Sequence, residues 1–179
     1  STHNIDYNSS NGFQVSAWGP PLWHTLHIMS FNYSPERARR YADYFTSLEG
    51  VLPCGKCRDN FPHNIRDAGW PSYPEFDEED APEPFMSREN MGRFIYNLHN
   101  AVNVATGKPV HSQSFEQVRD KYEEFRASGC SKPSKAREAG CHKSAHGTPV
   151  QCVLKMVPKS GDHVNVIASR EPLGQARVG

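Results

Sequence analysis

Apolar residues recur at helical spacing along most of the first 130 positions. Leu22, Leu26 and Met29 share one face of a predicted helix, and Pro20 and Pro21 suit its first turn, where a missing N–H costs nothing. Trp23 and His27 lie four apart on the neighbouring face, a spacing that predicts stacking of one on the other. A second helix is expected to open at Ser34-Pro35-Glu36-Arg37, with serine as cap and proline in first position. Its stripe is Tyr41, Tyr44, Phe45, Leu48 and Leu52, loosened by Gly50 and stopped at Pro53. A short third helix follows from about Cys54 to Ile65. The most regular pattern opens at Ser87, a capping residue, and repeats through Met91, Ile95, Leu98, Val102 and Ala105, a core face. Its other face carries Tyr96, His99, Asn100 and Asn103, and Gly107-Lys108-Pro109 ends it. A fifth helix is predicted from Ser114 to about Ser128, with Phe115, Val118, Tyr122 and Phe125 on one side.

Other stretches break the pattern. Residues 1–17 are polar, rich in Asn and Ser, and lack the apolar core of a signal peptide, so a flexible or loosely docked arm is expected. Residues 18–130 form the helical domain, interrupted by an acidic insertion over 67–86. Asp67 to Glu83 carries seven acidic residues and no lysine or arginine, with Pro71, Pro74, Pro82 and Pro84 within it or just beyond. It reads as a surface loop that Trp70, Tyr73 and Phe76 would pin down. Residues 131–179 hold eight Lys or Arg against three Asp or Glu. There, Val150–Val157 and His163–Ala168 are β-prone and flank a Pro-Lys-Ser-Gly-Asp turn, so this C-terminal extension is expected to be irregular or to contain a β-hairpin.

Composition narrows the function. The formal net charge is zero, which gives no overall basic footprint for nucleic acid. No apolar run approaches membrane-spanning length. The five cysteines are an odd number, and a chain of 179 residues does not need disulfides to hold its core, so catalytic or metal roles gain weight. Cys54-Gly-Lys-Cys57 is the most reactive-looking stretch: a pair that opens a helix can close a disulfide, and the helix dipole favours its thiolate. The same spacing also serves as half of a zinc site or as a structural clip. No βαβ pattern surrounds it, which argues against a thioredoxin-like fold, and no Gly-x-Gly-x-x-Gly supports a Rossmann mode of dinucleotide binding.

Taken together, Gly19-Pro-Pro-Leu-Trp23-His-Thr-Leu-His27, Tyr33, Cys54-Gly-Lys-Cys57, Leu98-His99-Asn100-Ala-Val-Asn103 and Gly107-Lys108-Pro109 resemble the Erv/ALR family of FAD-dependent sulfhydryl oxidases. The resemblance runs from about Trp18 to Cys130. It implies an all-α fold, a four-helix bundle with a short fifth helix around the flavin. It implies that Cys54 and Cys57 are the catalytic pair, with Cys57 nearest the flavin and Cys54 the outer cysteine that substrate attacks. It implies FAD contacts at Gly19, Trp23, His27, Tyr33, Cys57, His99, Asn100 and Asn103, with Lys108 and Lys121 as pyrophosphate partners and Tyr122 as an aromatic near the cofactor. Protein thiols would be substrates, molecular oxygen the acceptor, hydrogen peroxide the product and a homodimer the assembly. No metal, nucleic acid or membrane partner is expected.

Departures from the family remain. Gly92 to Phe115 contains no cysteine, so a disulfide that often ties this region in relatives has no counterpart, and the chain beyond Cys130 matches nothing in the family. Cys130, Cys141 and Cys152 admit a shuttle dithiol, a structural or intersubunit disulfide, or free thiols and a metal site. The competing reading of the whole chain is a non-enzymatic zinc-binding helical adaptor using Cys and His ligands. Relatives occur in the mitochondrial intermembrane space, the secretory pathway and large DNA viruses. The resemblance leans toward a viral enzyme acting in a virus factory or virion in host cytoplasm.

Overall fold

A computed structural model describes residues 12–72, 81–127 and 145–146, together with the backbone of two strands. Tyr73, Phe76, Cys130 and Cys141 lie outside the described residues, and only the backbone of Cys152 is described. The chain divides into two units, Ser1–Phe115 and Glu116–Gly179.

In the first unit, α1 spans Val15–Phe31 and begins before the predicted start, with Pro20 and Pro21 inside it. Each proline withdraws one donor, from the carbonyls of Ser16 and Ala17, at the partly exposed head of the helix where solvent can replace it. Ahead of α1, the Phe13 N–H donates to the Pro53 carbonyl (2.7 Å) and Trp18 Nε1 donates to the Phe13 carbonyl (3.2 Å). The described end of the predicted arm is therefore tied to the loop that precedes Cys54. Gly12 makes this approach possible: its φ is +63°, and a Cβ there would collide with the Pro53 carbonyl.

Ser34 does not cap the second helix as expected. Its hydroxyl donates to Glu36 Oε1 (2.6 Å) and accepts from Arg37 Nε (2.9 Å), which closes a 3-10 turn over Pro35–Arg37 before α2, Ala38–Val51. A charged partner two residues away wins over the backbone N–H groups. α3 spans Gly55–Asp67, and Cys54 occupies its N-cap. The far end of the acidic insertion contains a short helix that the sequence did not announce, α4, Glu83–Met86. Phe85 there is fully buried. Trp70 pins the near end as expected, with its ring against those of Phe45, Phe85 and Phe94.

α5, Arg88–Ala105, is capped by Ser87, whose hydroxyl accepts from the Asn90 N–H (3.1 Å) and also bonds the Asn90 amide oxygen. Met91, Ile95 and Leu98 are buried as predicted. Ala105 is exposed, and Phe94, unassigned from spacing, is buried with them. α5 packs against α1, α3 and α4, and α2 packs against α3. Their shared core includes Leu26, Phe45, Leu48, Phe61, Ile65, Phe85, Phe94, Ile95 and Leu98.

The second unit continues α6, Phe115–Glu123, shorter than the predicted fifth helix. The Arg126 guanidinium pairs with the Glu123 carboxylate, and the Ala145 N–H donates to the Arg126 carbonyl (2.9 Å). Backbone strands β1, Val150–Pro158, and β2, Val164–Pro172, pair antiparallel with Val150 opposite Pro172 and Pro158 opposite Val164. The residues connecting them, 159–163, lie outside those described.

Candidate active site

Cys54 and Cys57 form a disulfide across the first turn of α3, with Cα atoms 5.1 Å apart. The local geometry follows from the sequence. Pro53 stops α2's continuation, Cys54 takes an extended conformation (φ −146°, ψ 122°), and Gly55 starts the next helix. The Cys57 N–H donates to Cys54 Sγ (3.3 Å), so the Cys54 sulfur replaces the oxygen of an ordinary N-cap. Lys56 is exposed between the two cysteines, and Arg58 donates to the Leu52 carbonyl (2.6 Å) one turn away. The backbone N–H and the helix dipole both favour a thiolate at Cys54. Cys57 packs against the core of the first unit, with Trp23 on the same core.

A second group forms where α1 meets α5. Trp23 stacks on His99, with ring centroids 4.0 Å apart and planes 6° from parallel. The predicted stacking of Trp23 on His27 is thus replaced by stacking across the helix pair. α5 presents a flat imidazole closer to Trp23 than α1's own next turn does. His27, buried at 2% exposure, brings Nε2 to 3.3 Å from His99 Nδ1. His111 brings Nε2 to 2.9 Å from the same atom. Burial, reinforced by His111, His27 and Lys108, pushes the His99 pKa down to about 2, so His99 is neutral in the folded protein.

The sequence did not single out His111. It lies just past the glycine stop, and its only sequence signal is its place two residues after Pro109. Structure fixes it from two sides: Asn100 Oδ1 accepts its backbone N–H (2.8 Å), and its ring stacks on Tyr96 (5.6 Å, 23°). Lys108 reaches this neighbourhood because Gly107, at φ +71°, turns the chain, and the Lys108 N–H donates to the Asn103 carbonyl (2.8 Å).

The remaining predicted residues are placed as follows. Gly19 is buried within α1, and Asn103 is half-buried near the end of α5. Tyr33 is fully buried in a different setting, its hydroxyl donating to the Phe85 carbonyl (2.6 Å) and its ring edge-on to Tyr41. Burial raises its pKa to about 12. Lys121 and Tyr122 lie on α6 in the second unit.

The first unit is therefore a helical domain with a dithiol–disulfide pair at a helix head and an aromatic–imidazole cluster on the same core, the form of a helical thiol–disulfide protein. The family model of the Erv1 / Alr family matches residues 20–123, and the chain belongs to that family. Among similar proteins is one of Acanthamoeba polyphaga mimivirus named "Probable FAD-linked sulfhydryl oxidase R368". It is 36% identical over 95 residues, which cover 51% of this chain and 59% of that protein. A protein of Invertebrate iridescent virus 3 named "Putative FAD-linked sulfhydryl oxidase 096R" is 27% identical over 96 residues, 51% of this chain and 57% of its own length. A third, 347L of Invertebrate iridescent virus 6, named in the same way, is 25% identical over 101 residues, 54% of this chain and 86% of its own. The chain thus spans a little over half the length of the first two. Among the described residues, no helix is long and apolar enough to cross a membrane.

Proposed function

We propose that the chain is an FAD-dependent sulfhydryl oxidase that converts protein dithiols to disulfides at Cys54–Cys57. The observation that carries this reading is the disulfide itself: Cys54 is at the head of α3, where the Cys57 N–H donates to its sulfur, while Cys57 is packed against the core. We read α1, α2, α3 and α5 as the four-helix bundle and α6 as the short fifth helix. The donor set suits FAD. Trp23 offers a π face, His27 and neutral His99 offer polar ring atoms in a dry setting, and Lys108 offers a cation beside them. Gly19, Asn100, Asn103, Lys121 and Tyr122 are assigned to the cofactor by family resemblance. Tyr33 is assigned with them, acting through the fold it braces.

In the exchange step, a substrate thiolate attacks Cys54 Sγ. The Cys54–Cys57 bond breaks and Cys57 leaves as a thiolate. The second substrate thiolate then attacks the substrate sulfur of the mixed disulfide, forming the product disulfide and releasing Cys54. The Cys57 N–H and the head of α3 hold the charge that develops on Cys54, which makes it a good leaving group. The chemistry supplied by bound FAD is two-electron acceptance from the reduced pair and delivery to molecular oxygen, which yields hydrogen peroxide.

The proposed partners are protein thiols and a second copy of the chain, in the setting of a large DNA virus. Cys130, Cys141 and Cys152 retain their three readings: shuttle, structural or intersubunit bridge, or free thiols and metal. The zinc-adaptor alternative needs Cys54 and Cys57 as free thiolates, which a disulfide between them opposes. Purified protein should be yellow, with flavin absorption, and should consume oxygen with a dithiol substrate. Cys54→Ser should keep the colour and lose turnover by about a thousandfold or more, as expected for removal of a nucleophile-accepting sulfur. A colourless protein that takes up no FAD, or full turnover in Cys54→Ser, overturns the reading.

A further inference from the structure

Three imidazole nitrogens converge between α1, α5 and the segment after it: His27 Nε2, His99 Nδ1 and His111 Nε2, all within 4.8 Å of one another. Two of the separations, 3.3 Å and 2.9 Å, share His99 Nδ1. A neutral imidazole nitrogen carries either one proton or one in-plane lone pair, so a single site on His99 meets two nitrogen neighbours. A cation resolves this, because it accepts a lone pair from each ring at once. In a tetrahedral zinc site with Zn–N of about 2.0–2.1 Å, ligand nitrogens stand roughly 3.3 Å apart. The two contacts already lie near that value. The third pair, His27 with His111, lies within 4.8 Å.

We infer that His27, His99 and His111 of the FAD-free protein form a binding site for a divalent transition metal of the zinc class, which metal and FAD occupy in competition. The ligand chemistry selects the metal: three imidazoles with no carboxylate among them suit Zn2+, Co2+, Ni2+ or Cu2+ and not Mg2+ or Ca2+. Trp23 holds the His99 ring by its face, and Asn100 and Tyr96 hold His111 by backbone and ring. Three protein ligands leave a fourth position for water. Lys108 acts against the site through its charge, which disfavours a dication beside His99. The competition rests on the proposed function, because Trp23, His27 and His99 are the residues assigned there to FAD; metal binding itself does not.

The test is a Co2+ titration of the 179-residue chain, stripped of FAD, with Cys54–Cys57 kept oxidised and other thiols blocked by iodoacetamide. One equivalent should bind, with the visible d–d absorption of a low-coordinate ion and without a thiolate charge-transfer band, and Zn2+ should displace it. His111→Gln should weaken binding by about 100-fold or more while exposed His63→Gln leaves it unchanged; circular dichroism reads helical folding of each variant independently. FAD-loaded protein should bind no Co2+ at this site. Absence of the d–d signal, or equal affinity in folded His111→Gln and His99→Gln proteins, overturns the site. Simultaneous binding of both ligands overturns the competition alone. Failure of FAD to bind at all counts against the proposed function and leaves the metal titration to be judged by itself.

Discussion

The two functional regions of the first unit are built in opposite ways. The dithiol is local: four consecutive residues, a proline before them and the start of a helix suffice to place both sulfurs. It is half-exposed, with Lys56 exposed between the two cysteines, which suits a group that in the proposed function meets a substrate protein and holds a thiolate. The histidine cluster is non-local. His27 and His99 are 72 residues apart, His99 and His111 a further 12, and the packing of α1 on α5 brings them together. It is largely buried, and His99 is neutral there. In the proposed function one region does chemistry with little help from the fold, whereas the other binds the cofactor only because the fold exists. Perturbing the helix pairing should therefore damage binding before it damages sulfur exchange.

The largest separation of the two regions is expected from Trp23→Ala. In the proposed function Trp23 is an aromatic wall for the flavin ring of FAD, and loss of that stacking removes about 1–3 kcal/mol, which weakens retention of the cofactor by roughly 5- to 150-fold. Reaction of the reduced Cys54 with an alkylating reagent should change by less than about twofold, because its determinants are the head of α3 and its neighbours. Cofactor dialysis and thiol-trapping rates measure the two effects on the same sample. Equal losses in both would mean that the regions are one cooperative unit, and the comparison above would fail.

Acid separates them next. His99 titrates near its ordinary value when unfolded but only at about pH 2 when folded. Below about pH 6.5 the unfolded chain takes up a proton that the folded chain refuses, so stability falls as pH falls across that window. For one such group the slope is about 1.4 kcal/mol per pH unit. Above the window the penalty vanishes. Denaturant titrations at pH 6 and pH 5 should show a steeper loss in the parent protein than in His99→Asn, which removes the titrating ring. Parallel slopes would mean that His99 is protonated or solvated in the folded protein. The dithiol makes no such contribution while it remains a disulfide.

How much of this could be read from the chain follows the same division. Cys54–Cys57 and the Gly107-Lys108-Pro109 stop were visible because local spacing determines them. The core face of α5 was visible through Met91, Ile95 and Leu98, since helical period alone places them. Phe85 and α4 were hidden. The acidic and proline-rich composition around them reads as solvent-exposed, and only the pocket formed by Tyr33, Trp70 and their neighbours makes Phe85 a core residue. His111 was hidden for a similar reason: a histidine in a connecting segment carries no periodic signal, and its partner is on another element. Trp23 was expected to stack on His27 but stacks on His99, because intrahelical spacing competes with an interhelical contact that sequence does not display. Ser34 was misassigned as a cap because Glu36 and Arg37 capture its hydroxyl.

Smaller effects test whether α5 is a common frame for both ends of the unit. A Cβ at Gly92 would lie 2.7 Å from Phe31 Cε1 and 3.5 Å from Phe115 Cε2. Both are aromatic rings rather than flexible chain ends, and Arg93 lies over the Phe115 ring at 4.1 Å. Gly92→Ala should therefore destabilise the domain by about 1–3 kcal/mol, the usual cost of overpacking, even though alanine is the better helix former. Because Phe31 ends the helix that carries Trp23 and His27, the strain should be felt in the cluster rather than at Cys54.

The smallest effect lies at the opposite end of the same helix. Ser87 closes the N-terminus of α5 by accepting from the Asn90 N–H, and Glu89 adds favourable charge in the first turn. Ser87→Ala removes the cap and should lower stability by about 1 kcal/mol, and Ser87→Asp should restore most of it. The sign of the second change is the informative part. An aspartate supplies an acceptor as well as a charge at the positive end of the dipole, so failure to rescue would show that the Ser87 hydroxyl matters as a donor to the Asn90 amide oxygen. In both variants helix capping lies far along α5 from His99, so the stability change should appear with cofactor retention and thiol reactivity unaltered. A loss of cofactor equal to that in Trp23→Ala would mean that the histidine cluster depends on the whole length of α5, and not only on its crossing with α1.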